Sequence, residues 1–181
     1  MKLTYAEEEN MTNKSKKIAA VGLVAASYAV ITIVFGAISY GPVQFRISEM
    51  LMFLPLFGTE YILGLTMGCF IANIAGGLGL VDMVFGTLAT LISCILVYYT
   101  PKLIKNGKLS LFVASLWPTI VNALIIGWEL YKFFGLPFGL SALQVGFGEF
   151  VVITVIGLPV FKMVNNKYGN RIKNFSNKSV G

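Results

Sequence analysis

The chain contains apolar segments that are as long as a lipid bilayer is thick. Residues 18–39 carry no charged side chain, and a run of about 22 residues crosses ~30 Å of hydrocarbon as an α-helix. Hydrophobic residues make up 56% of the chain and charged residues 12%, about half the charged fraction of a soluble domain. The sequence therefore predicts an all-α, polytopic membrane protein, and it excludes a disordered chain, a soluble nucleic-acid binder and most soluble enzymes.

The number of crossings depends on the second apolar stretch, residues 47–79. As one helix it would be ~50 Å long, which overshoots a bilayer even when tilted. Gly58 and Glu60 interrupt it, so we expect a hairpin of two helices, 46–57 and 60–78. This gives six transmembrane helices, the other four predicted at 18–39, 81–100, 109–131 and 140–164.

The distribution of basic residues supports an even number of crossings. Cytoplasmic loops are enriched in Lys and Arg, and six crossings place all three basic clusters in the cytoplasm, whereas five would place the middle cluster outside. Both termini are then cytoplasmic. We expect a mobile tail at 1–17, a six-helix membrane domain at 18–165 and a basic tail at 166–181. The clusters are Lys14, Lys16 and Lys17; Lys102, Lys105 and Lys108; and Lys162, Lys167, Arg171, Lys173 and Lys178.

Several kinds of chemistry are excluded by missing residues. The chain has no His, the commonest metal ligand and general base. Cys69 and Cys94 match no metal or redox spacing and are predicted to be free, buried thiols. No P-loop motif is present. We therefore expect no catalytic residue, no metal and no cofactor.

Carboxylates near membrane spans are costly and usually functional. Glu49, Asp82, Glu129 and Glu149 are predicted at the outer ends of helices, around a ligand pocket that opens outward. Two structural alternatives stay open. Arg46 and Glu49, spaced i, i+3, could form an ion pair that closes the second helix, and Asp82 could be an N-cap or first-turn acid.

The remaining candidate ligand residues are polar or aromatic. Trp128 precedes Glu129 and could offer a stacking plane beside a carboxylate, although an interfacial aromatic belt also explains it. Asn73 could bond to the ligand or across helices. The predicted substrate-binding set is Gln44, Arg46, Glu49, Asn73, Asp82, Trp128, Glu129 and Glu149.

The first helix carries small residues at helical spacing. Gly22 and Ala26, and likewise Ala25 and Ala29, form small-xxx-small steps that let another helix approach closely in lipid. Two interpretations stay open: these residues pack within this chain, or they form a docking face for a partner protein.

The segment Tyr40 to Glu49, which reads Tyr-Gly-Pro-Val-Gln-Phe-Arg-Ile-Ser-Glu, leads into the predicted second helix. Together with Asn73 and the run 82–91, it resembles the QueT family, the substrate-binding (S) components of energy-coupling factor (ECF) transporters. The resemblance covers nearly all of residues 15–165. The segment 22–26 resembles the Ala-xxx-Ala docking motif of S components, with Gly22 in place of the first Ala; the departure keeps that residue small.

The resemblance implies a bacterial cell-membrane protein that captures its substrate outside the cell. It would dock through Gly22, Ala25, Ala26 and Ala29 on a transmembrane coupling protein with two ATPase subunits. The implied substrate is a queuosine precursor, a 7-deazaguanine such as 7-aminomethyl-7-deazaguanine, or queuine. Alternatives are an S component for another vitamin or purine-like heterocycle, or a small integral-membrane enzyme or channel.

Overall fold

A computed structural model describes residues 5–77 and 79–177 of the chain. The described residues are helical or form short connections, so the predicted all-α class is confirmed. Residues 1–4 and 178–181 lie outside the described part, and with them the ends of both predicted tails. The α-helices are α1 (Tyr5–Val34), α2 (Gly36–Ser39), α3 (Glu60–Gly76), α4 (Leu80–Leu103), α5 (Gly107–Phe134), α6 (Phe138–Glu149) and α7 (Leu158–Asn177).

Two segments are helical but not α-helical. Residues Ile47–Leu56 form a 3₁₀ helix, which contains Pro55 in its last turn. Residues Phe150–Gly157 form a π-helix between α6 and α7. The predicted sixth helix, 140–164, lies within the continuous helical span Phe138–Asn170, although residues Phe150–Gly157 of it are π-helical rather than α-helical. The π-helical segment contains a run of β-branched residues, which lower the preference for the α conformation.

At both ends of the described part of the chain, the helices extend beyond their predicted bounds. α1 begins at Tyr5 rather than at residue 18, because the Glu and Lys residues of this region are good helix formers. It ends at Val34, just before Gly36, a weak helix former that opens the four-residue α2. At the other end α7 continues through the predicted basic tail to Asn177.

Four segments of the described chain are long and apolar enough to cross a membrane: Lys14–Val34, Leu80–Leu103, Gly107–Phe134 and Phe138–Asn170. Ile47–Leu56 and Glu60–Gly76 are apolar but shorter. At about 2.0 Å per residue for a 3₁₀ helix and about 1.5 Å for an α-helix, they span roughly 20 and 25 Å. The count of six crossings stays a prediction. Many large apolar side chains on the long helices are exposed, as a lipid environment requires.

Close helix packing places the short 3₁₀ helix in the middle of the bundle. α1 packs on α3, α3 on α4, α4 on α5 and α5 on α6, and the 3₁₀ helix contacts α1, α3, α4, α5, α7 and the π-helical segment. Gly64 and Gly68 of α3 lie against the backbone of α1, so the two helices approach as a small-xxx-small step allows. Cys69 and Cys94 are free and buried, as predicted.

Candidate functional site

The N-terminal end of the 3₁₀ helix carries charged side chains into the interior. Arg46, which precedes its first residue, and Glu49 in its first turn are both buried. Asp82 in the first turn of α4, Glu129 in the last two turns of α5 and Glu149 at the end of α6 are buried as well. These acids are at most 2% exposed. We call these five residues the acidic cluster.

Arg46 is the cation with which each acid of this cluster interacts. Its Nη2 lies 4.0 Å from Oδ2 of Asp82. The predicted local ion pair of Arg46 with Glu49 is therefore replaced by an ion pair between the 3₁₀ helix and α4. Asp82 is a first-turn acid of α4, but Gly79 occupies the N-cap position. The cluster contains one guanidinium and four carboxyl groups, an imbalance that is costly in a buried site.

Glu49 is held by a residue that the sequence did not single out. The hydroxyl of Tyr28, on α1, donates to Oε1 of Glu49. One turn further along α1, the hydroxyl of Thr32 lies 2.6 Å from that of Ser48. Tyr28 and Thr32 are spaced i, i+4 in the uncharged part of α1, residues 18–34, and this spacing was the available signal.

Cys69 lies at the meeting point of three elements, beside the acidic cluster. Its sulfur accepts from Thr90 Oγ1 of α4 at 3.1 Å and from Asn73 Nδ2 at 3.5 Å, and Arg46 Nη1 lies 3.9 Å away. The sequence predicted only a buried thiol here. Nothing in the sequence spacing of Cys69 distinguishes it from Cys94. Its contacts with Thr90 and Asn73 could therefore not be predicted from the sequence.

Asn73 joins α3 to α4. Its Nδ2 donates to the backbone oxygen of Asp82 at 3.2 Å. Of the two interpretations predicted for Asn73, the hydrogen bond across helices is therefore confirmed. A Cβ atom at Gly86 would lie 2.5 Å from Nδ2 of Asn73, and Gly86 therefore makes room for this amide. Oδ1 of Asn73 has no partner among the described residues.

The connection 40–46 is fixed to two helix ends. The hydroxyl of Tyr40 donates to the backbone oxygen of Ala72 at 2.6 Å, and the Arg46 guanidinium lies 5.7 Å from the centre of its ring. Burial raises the pKa of Tyr40, outweighing the lowering effect of Arg46, so the phenol stays protonated and can donate. Gln44 is buried, and a Cβ atom at Gly148 would lie 2.6 Å from its backbone oxygen.

Trp128 lies outside the acidic cluster. It is 42% exposed, and its ring packs edge-on against Phe85 at 5.3 Å and Phe133 at 6.0 Å between centroids. Its neighbour Glu129 is fully buried, so the two side chains leave α5 in different directions. A stacking role for Trp128 stays a prediction.

The predicted docking residues separate onto two faces of α1. Ala25 and Ala29 are buried, and a Cβ atom at Gly68 would lie 2.7 Å from the backbone oxygen of Ala25. Gly22 and Ala26 are exposed. Ala25 and Ala29 thus pack within the chain, and the face with Gly22 and Ala26 is open to lipid or to a partner.

The unpartnered buried atoms of the cluster define what the site can bind. Within the described part of the chain, its members and Asn73 have seven acceptor atoms and two donor atoms without a hydrogen bond. The donors are Nε and Nη2 of Arg46. The acceptors are Glu49 Oε2, Asn73 Oδ1, Asp82 Oδ1 and Oδ2, Glu129 Oε1 and Oε2, and Glu149 Oε2. Such a site suits a ligand that donates several hydrogen bonds and accepts few.

Comparisons with known proteins identify the family of the chain. No solved structure matches the chain significantly. A curated protein of Lactococcus lactis subsp. cremoris (strain MG1363), the queuosine precursor transporter QueT, is 44% identical over 82 residues, which are 44% of this chain and 48% of that protein. The chain thus aligns with about half the length of that relative. The family model for the QueT transporter matches residues 18–166. Since that match takes in most of the chain, the protein belongs to the QueT transporter family, a family of transporters and not of enzymes, as the motifs predicted.

Proposed function

We propose that the chain is the substrate-binding S component of an ECF-type ABC importer in a bacterial cell membrane. It captures a queuosine precursor from outside: a 7-deazaguanine such as 7-aminomethyl-7-deazaguanine, or queuine. In this proposal the chain crosses the membrane six times with both termini in the cytoplasm. ATP-driven uptake is performed by partners, a transmembrane coupling protein and two ATPase subunits.

The charge imbalance of the acidic cluster carries the proposal. Full ionisation of four carboxyl groups beside one guanidinium would leave an excess of three negative charges in a buried site. Burying unpaired charge is strongly unfavourable. A cationic ligand offsets this cost, and an amine-bearing 7-deazaguanine is such a ligand.

The unpartnered atoms match the ring of this ligand class. A 7-deazaguanine presents a lactam N–H and an exocyclic amino group side by side, and one carboxylate accepts both. Glu149 or Glu129 is our choice for that edge. The lactam carbonyl oxygen is an acceptor and suits Nε and Nη2 of Arg46, which have no hydrogen-bond partner. The cationic arm then pairs with a second carboxylate, and Gln44 and Asn73 supply further hydrogen bonds.

Two further observations support this function. The Lactococcus lactis relative is named a queuosine precursor transporter. The connection 40–46 lies on the ends of α3 and α6. Within it, Gly41 permits backbone movement, and Pro42 stiffens the chain that leads back into the bundle. We propose that this connection closes over the bound ligand as a lid.

Calorimetry on the purified protein tests the proposal. We expect tight binding of 7-aminomethyl-7-deazaguanine to the wild type and a loss of roughly 100-fold or more in Glu149→Gln, because two hydrogen bonds to a charged group are weakened. Glu60→Gln, at the opposite end of α3 from Asn73, is the matched control and should bind like the wild type. Equal affinity of wild type and Glu149→Gln would refute the assignment of Glu149.

Native mass spectrometry of ligand that co-purifies with the protein provides an independent test of the substrate. A bound mass that corresponds to a 7-deazaguanine supports the proposal. If a different vitamin or heterocycle co-purified, the proposed substrate class would be wrong, but the proposed role as a substrate-binding protein would stand.

A further inference from the structure

Tyr28 is the buried polar side chain of α1 that reaches the acidic cluster. It is fully buried, and its hydroxyl donates to Oε1 of Glu49. Glu49 Oε2 has no partner within the described residues. Oε1 of this carboxylate is thus engaged by the protein, and Oε2 is left without a hydrogen bond.

The packing of α1 on α3 explains how Tyr28 reaches Glu49. At Gly68 a Cβ atom would lie 2.8 Å from Cβ of Tyr28, which is closer than side chains normally approach. The glycine therefore lets α1 lie deep enough for the phenol to extend to the 3₁₀ helix. Aromatic side chains with a polar end are suited to such a place, because the ring packs and the hydroxyl finds a partner.

We propose that Tyr28 is a positioning residue for substrate binding, which orients the Glu49 carboxylate so that Oε2 faces the ligand. This inference rests on the proposed function in that it assigns Glu49 to the ligand. A donor on Oε1 fixes the side-chain rotamer and favours the ionised carboxylate. Tyr28 itself then needs no contact with the substrate.

The chain offers a matched pair of variants. Tyr28→Phe removes one hydroxyl without changing the shape of the ring. Thr32→Val removes a hydroxyl from the same helix, one turn away, and breaks the neighbouring contact with Ser48 on the same 3₁₀ helix. Both variants lose one hydrogen bond between α1 and the 3₁₀ helix. Thr32→Val also loses the bond from its hydroxyl to the backbone oxygen of Tyr28, but only Tyr28→Phe releases the carboxylate.

Calorimetry with 7-aminomethyl-7-deazaguanine, together with thermal unfolding without ligand, distinguishes positioning from packing. We expect similar unfolding temperatures for the two variants. Tyr28→Phe should weaken binding by about 10- to 150-fold, the effect of one hydrogen bond to a charged group, and Thr32→Val by less than about twofold. Binding by Tyr28→Phe within twofold of the wild type, or an equal loss in both variants, would overturn the inference. A wild type that does not bind the base would instead refute the proposed substrate.

Infrared spectroscopy of the ligand-free protein tests the contact even if the substrate is different. Glu49→Gln identifies the carboxyl band that belongs to Glu49. We expect Tyr28→Phe to shift that band and Thr32→Val to leave it in place. A band that is unchanged in Tyr28→Phe would show that Tyr28 does not orient Glu49.

Discussion

The contact between α1 and α3 gives the sharpest stability prediction. In the wild type Gly68 lies so close to α1 that an added Cβ atom would be 2.7 Å from the backbone oxygen of Ala25 and 2.8 Å from Cβ of Tyr28. Non-bonded carbon atoms normally lie about 3.5–4.0 Å apart. Both neighbours belong to the rigid part of α1, so Gly68→Ala must push the helices apart by up to about 1 Å.

The magnitude follows from the cost of overpacking. Extra carbon atoms in a well-packed interior destabilise by about 1–3 kcal/mol. For a chain of this size each kcal/mol lowers the unfolding temperature by about 2–4 °C, so we expect a decrease of about 2–12 °C in purified Gly68→Ala protein. Because the displaced helix carries Tyr28, ligand affinity should fall as well.

Two other glycines make this a graded experiment. At Gly64 an added Cβ atom would lie 3.1 Å from its nearest neighbours on α1, Val21 O and Val24 Cβ, and at Gly22 nothing lies within 4 Å. Gly64→Ala should therefore destabilise less than Gly68→Ala. Gly22→Ala should be neutral or slightly stabilising, since Ala is the better helix former. If Gly68→Ala unfolded at the same temperature as Gly22→Ala, or if the order were reversed, the close packing of α1 on α3 would be wrong.

Three further predictions concern function. Gly148→Ala should weaken ligand binding about 5- to 150-fold, because 1–3 kcal/mol of overpacking displaces the lid 40–46; calorimetry should show no such loss in Gly139→Ala, which has open space around it. Ala26→Trp, on the exposed face of α1, should block uptake into cells and leave the Kd of the purified protein unchanged; co-elution with the coupling protein at wild-type yield would contradict a docking role for that face. Lys105 should react with a membrane-impermeant amine reagent only after the cells are opened, and labelling in intact cells would refute the orientation with both termini inside.

The helical class of the chain and the approximate extent of most helices were predictable from the sequence, because both depend on local patterns. The apolar runs and the polar interruption at Gly58 and Glu60 gave the hairpin, and α3 begins at Glu60 as predicted. The 3₁₀ and π-helical segments were not predictable in this way. Both conformations differ little from an α-helix in sequence preference, and contacts with the rest of the bundle select between them.

The acids of the site were also predictable, but their partners were not. Glu129 and Glu149 attracted attention because an acid in an apolar run is costly whatever surrounds it. The partner of Arg46 depends on tertiary structure: the i, i+3 rule suggested Glu49, yet Asp82 from α4 lies 4.0 Å away. Tyr28 was missed because a tyrosine in a membrane helix has many ordinary roles, and only its distance to Glu49 makes it part of the site.

Under the proposed function, the acidic cluster links ligand binding to the stability of the fold. Its acids come from the 3₁₀ helix, α4, α5 and α6, so any two of them that are ionised repel each other across these elements. A cation bound among them turns that repulsion into attraction. Ligand that binds only the folded state stabilises it by about 2.7 kcal/mol at 100 times the Kd. We therefore expect a cationic 7-deazaguanine to raise the unfolding temperature of the wild type, and a neutral base of the same size to do so less. A neutral analogue that stabilised the protein equally well would show that charge balance is not what the cluster provides.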